Sequence, residues 1–379
     1  MINLTEYETS SVQLSPDEAY ELATLTRGSA DKAQGPRVVE RLMPTKQAGV
    51  YDIRPGPYVG RFRLRTGSVV DIRSRFPFQD LATLLGLGRK ATLLRHDVTS
   101  ALGGPGLMDL IALAFVREAE RVAGQGLAKG YKQTRLARPP YAGVPAVTAH
   151  LNAHGGRADR LVTTAKRLTA DIALNQLIAS AHRKLCQLSY QDKQINVRLR
   201  QLTPVFRNFN GREDVARQLP SPPPRYREIH ELARLVLDHR TALPAGTGLA
   251  GVGVLFNMTK IWENYVGRWL RAHQPEAVVH SQYPIMLIDV GPARRARADF
   301  VVEQGGRPVA VYDAKYRPWK EWPNTDELYQ LFTYASRLCV DRATLVCPGS
   351  TALSRQMTMG NILIETLAIP LDEVAARDC

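Results

Sequence analysis

Two aspartates and a lysine in the last third of the chain have the spacing of a metal-dependent hydrolytic site. Asp299 begins the run Asp299-Phe300-Val301-Val302, and Asp313 and Lys315 close the run Tyr312-Asp313-Ala314-Lys315. The chain between the aspartates is long enough for a strand, a turn at Gln304-Gly305-Gly306 and a returning strand. A β-hairpin would therefore place the two carboxylates side by side.

Paired carboxylates supply the hard oxygen ligands that Mg²⁺ prefers. Mg²⁺ held there would neutralise charge in the transition state of phosphodiester hydrolysis and activate the attacking water. Lys315 lies two residues after Asp313 and therefore points to the same strand face, where it would orient or deprotonate that water. The pattern predicts a site for phosphodiester hydrolysis.

Three other residues are spaced so that they would support this site. Gln330 and Tyr334 are one helical turn apart and share a helix face, and Glu263 adds a carboxylate on the helix before the strands. Each feature alone has an ordinary explanation, because D-x-K at a strand end is usually a surface ion pair and Q-x-x-x-Y occurs by chance in many helices. Their joint occurrence in the order Glu, Asp, D-x-K, Q-x-x-x-Y favours a nuclease over a purely structural role.

The elements that must position these residues are predicted in the order helix, three strands, helix, strand. The first helix carries an apolar stripe at helical spacing, which comprises Leu255, Met258, Trp262, Tyr265 and Trp269. The later elements are three strands over residues 278–290, 298–302 and 309–314, a helix over 326–338 and a strand over 343–347.

The first part of the chain is predicted to be β-rich. Residues 58–65 and 69–75 alternate in polarity around a turn at Thr66-Gly67-Ser68 and predict a hairpin. One face would enter a core through four apolar side chains, Phe62, Leu64, Val70 and Ile72. The other face would carry five arginines, Arg61, Arg63, Arg65, Arg73 and Arg75. This cationic face is suited to phosphate groups, to an acidic protein partner or simply to solvent.

The pattern becomes helical from about residue 100 to about residue 245. Residues 107–115 form an apolar run, and residues 158–188 carry apolar side chains at spacings of three and four. The proline-rich segment 220–224 and the glycine-rich segment 245–253 mark connectors. We therefore predict a mixed α/β, multidomain chain of three parts: an N-terminal β-rich partner-binding module over 1–95, a helical middle domain over 96–245 and a C-terminal α/β domain over 246–379.

The composition is typical of a soluble protein with a polyanionic partner. Of the 379 residues, 44% are hydrophobic and 23% are charged, which excludes a wholly disordered or fibrous chain. Lys and Arg number 50 against 36 Asp and Glu, and the resulting net charge of +14 favours nucleic acid as a partner. The start of the chain has no basic stretch leading into an apolar run, and the longest apolar stretch is too short to span a bilayer. We expect a cytoplasmic protein without a membrane partner.

The cysteines and histidines indicate neither a zinc site nor a disulfide framework. No CxxC spacing or clustered histidine accompanies the four cysteines, Cys186, Cys339, Cys347 and Cys379. His150 and His154 form an HxxxH pair without the glutamate that follows the first histidine in zincins.

Taken together, the motif residues resemble the PD-(D/E)xK nuclease core in its RecB-like form with the QxxxY element. More narrowly, the chain resembles the McrC family, the nuclease subunits of McrBC-type modification-dependent (type IV) restriction systems. The resemblance is most specific over residues 255–334, which begin with Leu255-Phe256-Asn257-Met258-Thr259-Lys260-Ile261-Trp262-Glu263-Asn264-Tyr265-Val266. Shorter likenesses occur at residues 4–8, 58–60 and 173–178.

This resemblance implies a C-terminal αβββαβ core that binds metal through Asp299, Asp313 and the backbone carbonyl of Ala314, with Lys315 as the catalytic lysine. The supporting site residues would be Glu263, Gln330 and Tyr334. The implied cofactor is Mg²⁺, or Mn²⁺ in its place. Ala298 stands where the motif has a structural proline, and Asp313 stands where many relatives have glutamate.

The resemblance also implies double-stranded DNA as the substrate and a McrB-like AAA+ GTPase hexamer as the partner, whose hydrolysis these subunits stimulate. The sequence contains no Gly-Lys dipeptide and hence no Walker A loop. A nucleotide-driven step must therefore come from another chain. Because the N-terminal part engages the hexamer in that family, the arginines of residues 61–75 would contact either the protein partner or DNA.

Two other functions stay open from the sequence. A stand-alone RecB-like nuclease of repair or recombination would cleave DNA without a partner, but it has no need of the McrC-like residues 1–250. A non-nucleolytic adaptor that activates an AAA+ NTPase would have no need of Asp299, Asp313 and Lys315, which are intact.

Overall fold

The structure, a computed structural model, describes residues 1–26, 37–76, 84, 107–155, 157, 159–190, 192–209, 222–238, 253–289 and 294–371. It is a mixed α/β protein, as predicted, and the described residues form sheets of four, six, three and three strands. The strands are β1 Ile2–Thr5, β2 Ser10–Gln13, β3 Val39–Pro44, β4 Val50–Pro55, β5 Tyr58–Arg63, β6 Val69–Arg73, β7 Gly130–Leu136, β8 Val144–Pro145, β9 Thr163–Thr169, β10 Gly253–Asn257, β11 Val278–Met286, β12 Arg295–Gln304, β13 Arg307–Ala314, β14 Arg342–Gly349, β15 Leu353–Met359 and β16 Ile362–Pro370. The helices are α1 Pro16–Thr24, α2 Leu107–Gly124, α3 Val147–His154, α4 Ala173–Cys186, α5 Lys193–Phe206, α6 Arg227–Asp238, α7 Met258–His273 and α8 Thr325–Leu338, with a short 3₁₀ helix at Pro224–Tyr226.

The N-terminal part contains the hairpin that the alternation over residues 58–75 predicts. β5 and β6 are antiparallel, with Phe62 opposite Val70. Both residues are buried together with Leu64 and Ile72 in one apolar cluster, so the predicted core face is confirmed. β1 extends this sheet on the far side of β6, and β2, β4 and β3 form a second sheet beside it.

One strand of the N-terminal sheet comes from a distant part of the chain. β10 pairs with β5 in antiparallel fashion, with Leu255 opposite Gly60. A Cβ on Gly60 would lie 2.2 Å from the carbonyl oxygen of Val254, so this close approach of two strands requires glycine. Leu255, which we predicted in the apolar stripe of a helix, therefore lies in a strand, and α7 begins at Met258.

The prediction that Arg61 lies on a cationic sheet face open to phosphate, a protein partner or solvent is wrong. Its side chain is fully buried, with Nε 2.9 Å from Oδ1 of Asp71 and Nη2 2.8 Å from Oδ2 of Asp109. The reason is that α2, which carries Asp109, packs over this face of β5 and joins a core that also contains Val59. The remaining four arginines differ in exposure: Arg63 and Arg65 are exposed, whereas Arg73 and Arg75 are half-buried.

The middle of the chain is less helical than predicted. The apolar run over residues 107–115 lies in α2, as expected, and α2 packs with α4, α5 and α6 around one large apolar cluster. Residues 158–188, however, contain strand β9 before helix α4, and β7, β9 and β8 form a three-stranded sheet. In β9 the buried residues Thr163 and Ala165 alternate with a more exposed neighbour, which is the period of a strand. Within the described residues, no helix is long and apolar enough to cross a membrane.

The C-terminal part has the predicted order of helix, three strands, helix and strand, followed by two further strands. The six-stranded sheet has the order β11-β12-β13-β14-β16-β15. The β12–β13 hairpin turns at Gly305 and Gly306, which both have positive φ. α8 packs on the sheet through Leu331, which is buried in one cluster with Val301 and Leu345.

Some of the sequence predictions fall outside the described residues. They concern the two boundaries between the three predicted parts, at 95/96 and 245/246, the connector residues 220, 221 and 245–252, Val290 at the end of a predicted strand, and Cys379. The division of the chain into three parts therefore stays a prediction.

Candidate active site

The β12–β13 hairpin brings Asp299 and Asp313 close together. Phe300 pairs with Tyr312, so each aspartate is the next residue toward the open end of the hairpin. Oδ2 of Asp299 accepts a hydrogen bond of 2.9 Å from the backbone N–H of Ala314. Burial, followed by the charges of Asp313 and Glu263, raises the pKa of Asp299 to about 7. The hairpin thus concentrates negative charge at a place where water screens it poorly.

Lys315 lies against this carboxylate pair. Its Nζ is 2.8 Å from Oδ2 of Asp313 and 3.2 Å from Oε1 of Gln330, and its backbone N–H donates to the carbonyl of Val346 at 2.9 Å. Burial alone would lower the pKa of Lys315, but the adjacent charge of Asp313 outweighs it, and the net shift is upward. The lysine is therefore a cationic hydrogen-bond donor rather than a free base in this arrangement.

Helix α8 brings Gln330 and Tyr334 to the same place, as their spacing predicts. Nε2 of Gln330 lies 3.3 Å from Oδ1 of Asp313 and 3.0 Å from the hydroxyl of Tyr334. The start of α8 is set by a capping box in which Asn324 and Glu327 exchange side-chain-to-backbone hydrogen bonds. Gln330 thus contacts both members of the Asp313–Lys315 ion pair from one helix face.

Gln282 is a member of the site that sequence reasoning missed. Its Nε2 donates a hydrogen bond to Oε1 of Glu263 and lies 3.3 Å from Oδ1 of Asp299. Gln282 has a φ of 53° inside β11, a conformation that costs a non-glycine residue energy and is concentrated at functional sites. No motif includes this residue, and its type does not favour positive φ, so nothing in the sequence distinguishes it.

Glu263 reaches the site from α7, which is fixed against the same sheet. Nε1 of Trp262, the residue before Glu263, lies 3.3 Å from the carbonyl oxygen of Val346. That oxygen also accepts the backbone N–H of Lys315. One carbonyl of β14 therefore contacts both the helix that carries Glu263 and the backbone of the predicted catalytic lysine.

The side chains suit a hard divalent cation held by two aspartates rather than by a larger preformed cluster. Oδ2 of Asp313 is buried and pairs with Nζ of Lys315 at 2.8 Å. The groups that could bind a cation are the carboxylates of Asp299 and Asp313 and the carbonyl of Ala314. No group of three or more His, Cys, Asp and Glu side chains is arranged around a metal position in the described residues.

The five arginines predicted to contact DNA or a partner are not gathered at this site. Arg75 comes nearest, since its Nη2 donates to the carbonyl oxygen of Tyr316 at 2.7 Å and its guanidinium lies over the Tyr316 ring. Arg73 lies 3.5 Å from Asp71, and Arg61 is buried elsewhere. The remaining two, Arg63 and Arg65, are exposed on the N-terminal sheet.

Comparison with known proteins gives a family and a fold. Residues 53–348 match the family described as McrBC 5-methylcytosine restriction system component. A chain from the refined half-complex of the tetradecameric assembly of Thermococcus gammatolerans McrB AAA+ hexamers with bound McrC shares the fold, with a TM-score of 0.63 and 16% identity over 99% of this chain and 95% of that chain.

A chain from the cryo-EM structure of the Thermococcus gammatolerans McrBC complex is similar over 71% of this chain and 86% of that chain, with a TM-score of 0.46 and 14% identity. No curated protein matches this chain.

Proposed function

Because the chain belongs to the family of McrBC 5-methylcytosine restriction system components, we propose that it is the nuclease subunit of such a system and hydrolyses phosphodiesters of double-stranded DNA. The observation that carries this proposal is the contact network around Asp313. Its carboxylate lies within reach of Lys315 and Gln330, and the neighbouring hairpin strand presents Asp299. A purely structural ion pair would not need a second, strongly repelled carboxylate beside it.

Each side chain of the site would have a separate role in such a reaction. The protonated Lys315 would orient the attacking water and stabilise the negative charge that develops on the phosphate. Gln330 would hold Lys315 against Asp313, and Tyr334 would hold Gln330. Mg²⁺, held by Asp299, Asp313 and the Ala314 carbonyl, would supply Lewis-acid catalysis when bound. The proposed site would be of the PD-(D/E)xK type, with Gln282 as an additional positioning residue for Glu263 and Asp299.

The proposed partner is a McrB-like AAA+ GTPase hexamer, engaged through the N-terminal module. The chain contains no Walker A sequence of its own, so the nucleotide must be hydrolysed by another protein. The fold shared with a chain from an assembly of McrB hexamers with bound McrC supports this partner. The net charge of +14 supports DNA as the substrate. We expect the complex to act in the cytoplasm.

The variant Asp313→Ala tests this function against an adaptor without nuclease chemistry. The purified variant and the wild type are mixed with the partner GTPase, methylated plasmid DNA, GTP and Mg²⁺, and both DNA cleavage and GTP hydrolysis are followed. We expect cleavage to fall by about 10²-fold or more, because a metal ligand and the anchor of Lys315 are lost together. Stimulation of the GTPase should persist. Wild-type-like cleavage by the variant would refute the proposed site.

A further inference from the structure

Two adjoining cavities lie outside the candidate active site, where the end of α4 meets α5 and β5. The larger cavity has a volume of about 460 Å³, and Arg63 and Arg200 are among its lining residues. The smaller has a volume of about 290 Å³, and Arg183 and Arg207 are among its lining residues. Both are lined by Cys186 and Gln187, so the two cavities share a wall. We refer to them together as the arginine groove.

Within the described part of the chain, no carboxylate neutralises the positive charge of the arginine groove. Arg63 donates to the hydroxyl of Ser189 at 2.7 Å, and Arg183 donates to the carbonyl of Phe209 at 2.8 Å, so neutral acceptors hold both guanidinium groups. Arg200 and Arg207 have no ion pair with any described residue. No Asp or Glu is among the described residues that line either cavity.

Several arginines elsewhere in the described residues are held by carboxylates instead. Arg61 lies between two buried aspartates, Arg198 pairs with Glu120 at 2.6 Å, and Arg317 pairs with Glu327 at 2.8 Å. Arg198 is the nearest paired arginine to compare with Arg200, because it lies on α5 only two residues before it. The same helix therefore carries one neutralised guanidinium and one that faces an open cavity.

We propose that the arginine groove, which shares no lining residue with the candidate active site, binds the phosphodiester backbone of DNA. Guanidinium groups match phosphate oxygens with two hydrogen bonds each, and contacts of this type position a duplex without reading its sequence. Two cavities with a shared wall, each lined by two arginines, offer cationic donors to more than one phosphate group, as a nucleic-acid backbone requires. The choice of DNA as the ligand rests on the proposed function, whereas the phosphate chemistry of the groove does not.

The reactivity of Cys186, which lies in the shared wall, can show whether the groove is occupied. Cys186 is exposed and lines both cavities, Cys339 is exposed at the end of α8, and Cys347 is buried. The full-length protein, with Cys379→Ser to remove a fourth thiol, is treated with a maleimide in EDTA, and each labelled cysteine is identified by peptide mass spectrometry. A duplex DNA is added at about ten times its Kd. Labelling of Cys186 should then slow about tenfold, because only the free protein reacts, while the labelling of Cys339 stays unchanged.

Three control ligands identify the occupant of the groove. Inorganic phosphate and a mononucleotide, at the same total phosphate concentration as the duplex, should leave Cys186 reactive. The AAA+ partner alone should also leave it reactive. Protection by the small anions equal to that by DNA would make the groove a small-anion site, and protection by the partner alone would make it a protein interface. Each of these results overturns the proposal.

Substitutions in the groove add a second readout. In the double variant Arg63→Ala/Arg200→Ala, DNA affinity should fall equally for all sequences, and the slope of log K against log salt should decrease by about 2. The matched control is Arg355→Ala, which removes an exposed arginine that is paired with Glu321. Unprotected Cys186 and an unchanged salt slope in a protein that binds and cleaves DNA would refute the groove but leave the nuclease intact. If the wild type does not cleave DNA but DNA still protects its Cys186, the proposed nuclease function is refuted and the proposed groove is not.

Discussion

The hydroxyl of Tyr316 donates a hydrogen bond of 2.7 Å to Oε1 of Glu6, although 310 residues separate the two in the chain. Glu6 is fully buried, and the same oxygen accepts hydrogen bonds from Ser74 and from the backbone of Arg75. Tyr316 directly follows Lys315. The first turn of the chain after β1 is therefore joined to the segment that carries the predicted catalytic lysine.

Removing this hydroxyl should destabilise the protein. We expect Tyr316→Phe to lower the free energy of unfolding by about 1–3 kcal/mol, because the buried Glu6 carboxylate loses a donor. Tyr329→Phe is the control, since Tyr329 is 60% exposed on α8 and should change stability by less than about 0.5 kcal/mol. Urea denaturation measures both variants. Equal stability of the two variants would show that the Glu6–Tyr316 contact contributes nothing.

Gln282 should support DNA cleavage through its side chain, whereas its backbone conformation should affect only the stability of the protein. Gln282→Ala and Gln282→Gly both remove the amide that holds Glu263 and Asp299, and each should lower the rate of DNA cleavage by about 10–100-fold. Their stabilities should differ in favour of glycine by about 1 kcal/mol, because glycine adopts the positive φ of this position without strain. Cleavage rates and thermal unfolding separate the two effects. Wild-type cleavage by both variants would contradict the role assigned to Gln282.

Asp299 should make the stability of the metal-free protein depend on pH. Its pKa is raised from 3.8 to about 7 by burial and then by Asp313 and Glu263. The folded protein therefore binds this proton more tightly than the unfolded chain. The stabilisation that comes from protonated Asp299 is complete below the pKa of Asp299 in the unfolded chain. It is lost as the pH rises through about 7, the pKa of Asp299 in the folded protein.

The measurement for Asp299 is the unfolding temperature in EDTA between about pH 5 and about pH 8. The wild type should lose stability over this range, and Asp299→Asn should lose less. At the upper pH, Mg²⁺ should raise the unfolding temperature of the wild type and leave that of the variant unchanged, because only the wild type binds it. A response to Mg²⁺ that is equal in both proteins would place the metal elsewhere.

Arg61 should be required for stability rather than for binding. Arg61→Ala removes the buried cation that Asp71 and Asp109 share, so we expect a loss of about 3–5 kcal/mol in the free energy of unfolding. Arg65→Ala, at an exposed position of the same hairpin, should cost less than about 0.5 kcal/mol. A small effect of Arg61→Ala, measured by urea denaturation, would show that the buried ion pairs add no net stability.

Local patterns were sufficient for the order of elements in the C-terminal part and for the proximity of most predicted site residues. The spacing of Asp299, Asp313 and the two glycines of the intervening turn predicts a hairpin because strand period and turn chemistry are local properties. Gln330 and Tyr334 share a face because one helical turn separates them. These residues contact each other as their spacing predicts.

What the sequence does not reveal depends on distant parts of the chain. The alternation around Arg61 predicts which sheet face it occupies, but the burial of that face depends on α2. The pairing of β10 with β5 brings Leu255 to Gly60 across the whole middle of the chain. Gln282 enters the site through a backbone conformation that its residue type does not favour.

The most direct test of the central claim is DNA cleavage by the wild type and by Lys315→Ala, with Mg²⁺, in the presence and absence of the AAA+ partner and its nucleotide. We expect cleavage only when the wild type, the partner and nucleotide hydrolysis are all present, with unchanged stimulation of the partner by Lys315→Ala. Cleavage by the chain alone would indicate a stand-alone nuclease. Intact DNA in every mixture, with equal stimulation by both proteins, would contradict the assigned active site and indicate an adaptor.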